Sequence, residues 1–227
     1  MKIIAVSDLH GETPKLPAGD LLIVAGDLTA SDSKAGYERL LDWWSGLDFD
    51  CKLIVPGNHD VMLQRNEEVK RWLSPWVLVD QGIEYRGLKI WGSPWTFRFT
   101  NINPMCAAFT KRDCRDLKAK WDLIPADTDI LVTHGPPHGI LDESKHRERF
   151  GCLKLREAVD KLKPKLHIFG HIHEDGLKTH VENGTLFMNV SFLDADYEPR
   201  KECMQCDYEK NIYSSFTPSL INLGGES

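Results

Sequence analysis

The 227 residues are enough for one large domain with a full core and few for two. A hydrophobic fraction of 41%, a charged fraction of 27% and a net charge of −6 are ordinary for a globular protein, and they exclude a broad surface for a nucleic-acid backbone. No stretch approaches the roughly 20 apolar residues of a membrane span, the opening Met1-Lys2-Ile3-Ile4-Ala5-Val6 lacks a signal-peptide core, and six scattered cysteines do not resemble a secreted disulfide framework, so a reducing cytoplasm is the expected compartment.

Along the chain, residues 3–6 read as a buried strand, rich in Ile and Val and too short for a helix; it ends at Asp8-Leu9-His10. A second strand, 21–25, ends at Gly26-Asp27. Residues 33–45 carry Leu40, Leu41 and Trp44 at helical spacing. A third strand, 53–55, ends at Gly57-Asn58-His59-Asp60, and 66–73 reads as a helix. The strand at 89–91 opens an aromatic segment of Trp91, Trp95, Phe97, Phe99 and Phe109 with Arg98 among them, either core packing or a wall that stacks a nucleobase. A helix over 111–121 precedes a strand at 130–132 ending in Thr133-His134-Gly135. A helix over 153–162 precedes a strand at 166–169 ending in Gly170-His171-Ile172-His173. From Glu198 the charges, the Cys203/Cys206 pair and Pro218 read as a peripheral tail, dividing the chain into a domain at 1–197 and a tail at 198–227. Strands alternating with helices give an α/β class.

Five of these strands end in residues that bind metals, and in α/β sheets ligands gather beyond the carboxyl ends of the strands. Asp8 and His10, like His171 and His173, are two apart, so in extended chain each pair points one way. Asp8, His10, Asp27, Asn58, His134, His171 and His173 are too many ligands for one tetrahedral zinc and suit two cations sharing a carboxylate. Mixed imidazole and carboxylate donors suit zinc, manganese or iron rather than an all-oxygen calcium site; manganese is the first candidate, with iron, zinc, magnesium and nickel as the others. His146 and His180 read as surface residues, His167 as packed within its strand, and His138 as a loop residue. Cys203 and Cys206 lack the second pair of a structural zinc site, leaving coincidence or a redox-sensitive tail.

Together, Asp8-x-His10, Gly26-Asp27, Gly57-Asn58-His59-Asp60, Thr133-His134-Gly135 and Gly170-His171-x-His173 resemble the calcineurin-like metallophosphoesterases in order and spacing. Trp91-Gly92-Ser93-Pro94-Trp95, Thr133-His134-Gly135-Pro136-Pro137 and the run 164–170 resemble the metallophosphoesterase-domain-containing (MPPED-like) proteins. The resemblance implies a four-layer α/β/β/α sandwich with a dinuclear metal site at the strand ends. It implies Asp8, His10, Asp27 and His173 around one metal, and Asp27, Asn58, His134 and His171 around the other. His59 would face the leaving group, and Asp60 would stand behind the ligands; in the expected mechanism Asp60 orients His59.

The expected chemistry is in-line attack by a metal-bridging hydroxide on a small phosphodiester or nucleotide, cyclic nucleotides among the candidates. Unlike the Ser/Thr protein phosphatases, the chain has no arginine soon after Gly26-Asp27, and Asp60 replaces their glutamate; both features favour a diester. The rivals are a non-catalytic scaffold, which should show gaps among the ligands, a nuclease, which would want a basic groove, and a phosphomonoesterase. Neither an extended nucleic-acid surface nor a membrane partner is expected, and oligomeric state is left open.

Overall fold

A computed structural model describes residues 1–98, 106–209 and 215–223; Phe99 and the glycine-rich end lie outside them. In chain order the elements are β1 (Lys2–Val6), β2 (Gly19–Val24), α1 (Lys34–Ser45), β3 (Phe49–Ile54), α2 (Val61–Arg65), α3 (Glu67–Leu73), β4 (Gln81–Tyr85) and β5 (Leu88–Ser93). There follow β6 (Thr96–Phe97), β7 (Thr110–Lys111), α4 (Cys114–Trp121), β8 (Ile130–Thr133), α5 (Leu153–Leu162), β9 (Leu166–Phe169), β10 (Lys178–Glu182) and β11 (Thr185–Asn189). β12 (Glu202–Glu209) and β13 (Ser215–Asn222) come last. All six expected strands and all four expected helices are present. α4 begins three residues later than expected, because Thr110–Lys111 pairs as β7 and the Asp113 side chain caps the helix by accepting from Arg115 N.

Two main sheets form, one ordered β13-β12-β1-β2-β3 and the other β10-β11-β9-β8-β5-β4. β1, β2 and β3 are mutually parallel, as are β5, β8, β9 and β11. The period of two along each strand builds the layers. Ile3, Ala5, Leu21, Ile23, Ile130, Val132, Leu166 and Ile168 join one core between the sheets. Their neighbours Ile4, Val6, Leu22 and Val24 pack outward against Tyr37, Leu40 and Trp44 of α1 and Val69 and Leu73 of α3. On the opposite side Leu131, Phe169 and Phe187 meet Leu117 and Trp121 of α4 and Leu155 and Val159 of α5. The result is an α/β/β/α sandwich whose inner strands are apolar on both faces, which is why they read as continuous apolar runs. Among the described residues no helix is long and apolar enough to cross a membrane.

The expected boundary at 198 does not hold. β12 lies inside the first sheet, antiparallel to β1 through Lys2↔Asp207 to Ala5↔Met204, with β13 as its outer neighbour. Cys203, Met204 and Cys206 are fully buried. Charges at Glu202, Asp207 and Glu209 interrupt the apolar pattern, and Pro218 is tolerated because β13 is an edge strand. Cys203 faces the helical layer and Cys206 the core between the sheets, so a strand separates the thiols and a disulfide-based redox role is excluded.

His167 is a buried histidine inside β9. Thr133 donates its hydroxyl proton to Gly135 O (2.7 Å), so His167 Nε2, 2.9 Å from Thr133 Oγ1, must carry the proton and donate. Nδ1 then keeps a bare, buried lone pair without a hydrogen-bond partner. Burial pushes its pKa down to about 3 from 6.5. The unfolded chain therefore binds the extra proton first, and the neutral ring's contribution is complete above pH 6.5 and lost as pH falls toward 3. Wild type should lose about 1.4 kcal/mol per pH unit more than His167→Phe across that window. Urea unfolding at pH 6 and pH 4 checks this, and parallel losses in the two proteins would refute it.

Candidate metal centre

Parallel strands deliver their carboxyl ends to one edge of each sheet, and the loops there carry every candidate ligand. Ser7 N donates to Val190 O and Phe192 N to Ser7 O, joining the end of β1 to the segment after β11 in the other sheet. Asp8 N donates to Gly26 O, His10 N to Asp27 O and Gly170 N to His134 O, so backbone bonds hold the loops to one another.

Asp8, His10 and His173 form one group of converging ligand atoms, and Asp27, His134 and His171 another; within each group these atoms lie within 4.8 Å of one another. His10, Asp27 and His59 form a third group that bridges the other two. Asp27 Oδ2 is the hub: it lies 3.3 Å from His134 Nε2 and 3.8 Å from both His10 Nε2 and His59 Nε2. Asn58 joins through Oδ1, 2.9 Å from His134 Nε2.

Extended chain does not produce this convergence, contrary to expectation. Asp8, His10, Asp27 and His171 all have left-handed backbones, with φ of 53°, 43°, 55° and 72°. Such conformations are costly for residues with a Cβ and cluster where function requires them. His171 and His173 consequently diverge into different groups. Close backbone approach is also required: a Cβ at Gly57 would stand 2.1 Å from Asp27 Oδ1, and one at Gly170 would stand 2.2 Å from Asp8 Oδ2.

Hydrogen bonding identifies which atoms face inward. Asp8 Oδ2 accepts from Ser7 Oγ, Ser191 Oγ and His171 N at 2.6, 2.7 and 2.9 Å, whereas the buried Asp8 Oδ1 has no hydrogen-bond partner. His134 donates Nδ1–H to Ala25 O (2.8 Å), which leaves the Nε2 lone pair facing Asp27 and Asn58. His173 does the same with Asp194 O (3.1 Å), turning Nε2 toward Asp8 Oδ1 at 3.4 Å. His10 Nε2 is buried without a hydrogen-bond partner. These buried lone pairs could hold cations, and the groups Asp8/His10/His173 and Asp27/His134/His171, linked by the 3.8 Å approach of His10 Nε2 to Asp27 Oδ2, suit two of them.

Ionisation without metal follows the same logic. Burial opposes charge on Asp8, but His173, His134 and His10 outweigh it and hold the carboxyl well below the usual range. Burial likewise opposes charge on Asp27, and His134 and His59 outweigh it in the same direction. Burial works against protonation of His134, yet Asp27 raises it to about 9. Burial dominates at His171, which falls to about 3, and also lowers His10. His173 is raised, its burial offset by Asp8.

Asp60 does not orient His59. Its buried carboxylate accepts from Asp27 N (3.0 Å), Leu28 N (3.0 Å) and Gly57 N (2.7 Å), tying together the loops that carry Asp27 and Asn58, and the Tyr37 hydroxyl lies within reach of both Asp60 Oδ1 (3.3 Å) and Asp32 Oδ1 (3.2 Å). Burial and the charge of Asp27 raise its pKa to about 7. Adjacent side chains diverge here, and His59 Nδ1 contacts Cys106 Sγ instead, at 3.4 Å. The aromatic segment is structural where described: Trp91, Trp95 and Phe97 pack on the α4–α5 side, and Trp95 Nε1 donates to Asp80. The aromatic ring at the centre is Tyr197, 53% exposed, with its ring 5.2 Å from His10 and 4.8 Å from His173. His138 stands apart from the cluster, 3.7 Å from Asp142. Ser7, Ser191 and Tyr197 have no metal-type spacing that marks them in the sequence.

Residues 1–175 match the family model described as calcineurin-like phosphoesterase. Metallophosphoesterase domain-containing protein 1 of Homo sapiens is 32% identical over 227 aligned residues, covering 87% of this chain and 68% of the relative. A 3′,5′-cyclic-nucleotide phosphodiesterase of Nostoc sp. is 24% identical, over 70% of this chain and 58% of the relative. The phosphopantetheinyl hydrolase of Mycobacterium tuberculosis superposes with a TM-score of 0.59 at 18% identity, over 84% of this chain and 88% of that one, a likeness of fold. The chain belongs to the calcineurin-like phosphoesterase family, whose members are metal-dependent hydrolases.

Proposed function

We propose that the protein is a phosphodiesterase acting on a small nucleotide-type diester. Asp8, His10, Asp27 and His173 would hold one cation and Asp27, Asn58, His134 and His171 the other, with manganese the first candidate. The observation that carries this reading is the set of buried imidazole and carboxylate ligand atoms gathered around Asp27 Oδ2, beside a pocket of about 480 Å³ that His59 lines. Bound cations supply Lewis acidity that favours ionisation of water and neutralises phosphoryl oxygens. His59, outside both four-ligand sets, gives a proton or hydrogen bond to the departing oxygen from Nε2, while the Cys106 contact at Nδ1 steadies the ring. Tyr197 offers an exposed aromatic face for a base. The name of the Nostoc relative supports cyclic nucleotides as first substrates to test. The six unpaired cysteines support a cytoplasmic setting.

Arg65 and Arg98 favour a second reading, a phosphomonoesterase, because both line the pocket beside His59 and an arginine suits a dianion. Yet the groups gathered about Asp27 are histidine, aspartate and asparagine, enough with two cations to neutralise a singly charged diester. kcat/KM should therefore be higher for bis(p-nitrophenyl) phosphate than for p-nitrophenyl phosphate. A clear preference for the monoester would overturn the diester assignment. His59→Ala should retain bound metal and lower kcat by about 10²–10⁴ for an alkoxide leaving group, less for an aryl one. Equal losses on the two leaving groups would show that His59 does not protonate the departing oxygen.

A further inference from the structure

The pocket beside His59 is lined by Thr29, Ser31 and Asp32 from the loop after β2, by Arg65 at the end of α2 and by Arg98 beside β6. Its wall includes His59 but none of Asp8, His10, Asp27, His134, His171 and His173. In an in-line displacement the departing group lies opposite the nucleophile, on the side that His59 serves. The pocket therefore receives the leaving group rather than the phosphorus being attacked.

Its charge is cationic. The one carboxylate, Asp32, already accepts from Met62 N at 2.9 and 3.0 Å and from Tyr37 Oη at 3.2 Å. Among the described residues Arg65 forms no ion pair, although its helix starts directly after Asp60. Two guanidinium groups from separate elements, with Thr29 and Ser31 also in the wall, form a recognition set for a phosphate or carboxylate. A neutral alcohol would make no use of it.

We propose that the substrate is a nucleotide-type phosphodiester carrying a second phosphate on its leaving-group side, held by Arg65 and Arg98 in the pocket next to His59. The proposal rests on the diesterase reading and adds the identity of the leaving group. A 2′,3′-cyclic nucleoside phosphate and its 5′-phosphorylated twin differ by that one group. Wild type should show kcat/KM roughly tenfold or more higher for the 5′-phosphorylated compound. Arg65→Ala should cost the 5′-phosphorylated substrate about tenfold more than its twin, and Arg65→Lys should keep part of the preference. Equal kcat/KM on the pair in wild type overturns the proposal and leaves the diesterase reading standing. Turnover of bis(p-nitrophenyl) phosphate with neither cyclic compound hydrolysed overturns it as well. Equal losses of Arg65→Ala on both compounds and on p-nitrophenyl phosphate would assign the arginines to the attacked phosphate instead. If no diester is hydrolysed, both readings fall together.

Discussion

His134 gives its Nδ1 proton to Ala25 O, and so turns a bare Nε2 toward Asp27 Oδ2 and Asn58 Oδ1 in a fully buried position. Three electron-rich atoms in van der Waals reach with no proton assigned between them repel one another unless positive charge enters. In the metal-free protein a second proton on His134 supplies it, which is why Asp27 raises that pKa against the effect of burial. His173 and Asp8 repeat the arrangement, with Nδ1 on Asp194 O and Nε2 toward Asp8 Oδ1. The rest of the edge is organised to keep these lone pairs in place and to leave them unsatisfied by protein donors.

The sandwich provides the rigidity. β1, β2, β3, β8 and β9 are buried by layers on both faces, so their ends cannot drift without disturbing a packed core. Four left-handed residues beyond those ends cost roughly 1–3 kcal/mol each. The hydrogen bonds to one Asp8 oxygen and to both Asp60 oxygens offset part of that cost. Ser7 and Ser191 direct Asp8 Oδ1 inward by occupying its sister oxygen, a positioning role comparable to that of backbone carbonyls on His134 and His173.

Much of this was legible because strands buried on both faces leave uninterrupted runs of Ile, Val and Leu, and the polar residue that ends each run is conspicuous. The α/β class and the gathering of Asp8, His10, Asp27, Asn58, His134, His171 and His173 follow from that, whereas the layer order came from the family resemblance. Other features had no such signal. β12 and β13 carry charges and a proline, so their pattern resembled a loose tail, although β12 buries Cys203, Met204 and Cys206. The divergence of His171 and His173 depends on a left-handed residue, which spacing alone does not reveal. Tyr197 reaches the centre from a distant position in the chain, Arg65 lines the pocket beside His59, and Asp60 acts on backbone amides rather than on its sequence neighbour.

A carboxylate shared between two groups of ligands calls for two cations per chain. Metal content of purified protein, stripped with chelator and reconstituted with Mn²⁺, measures this directly by elemental analysis. Two ions per chain are expected in wild type, with Asp27→Ala losing affinity at both positions because Asp27 Oδ2 lies 3.8 Å from His10 Nε2 and 3.3 Å from His134 Nε2, one ligand atom of each group. A single ion per chain, or an Asp27→Ala protein that still binds two, would contradict the shared-carboxylate centre.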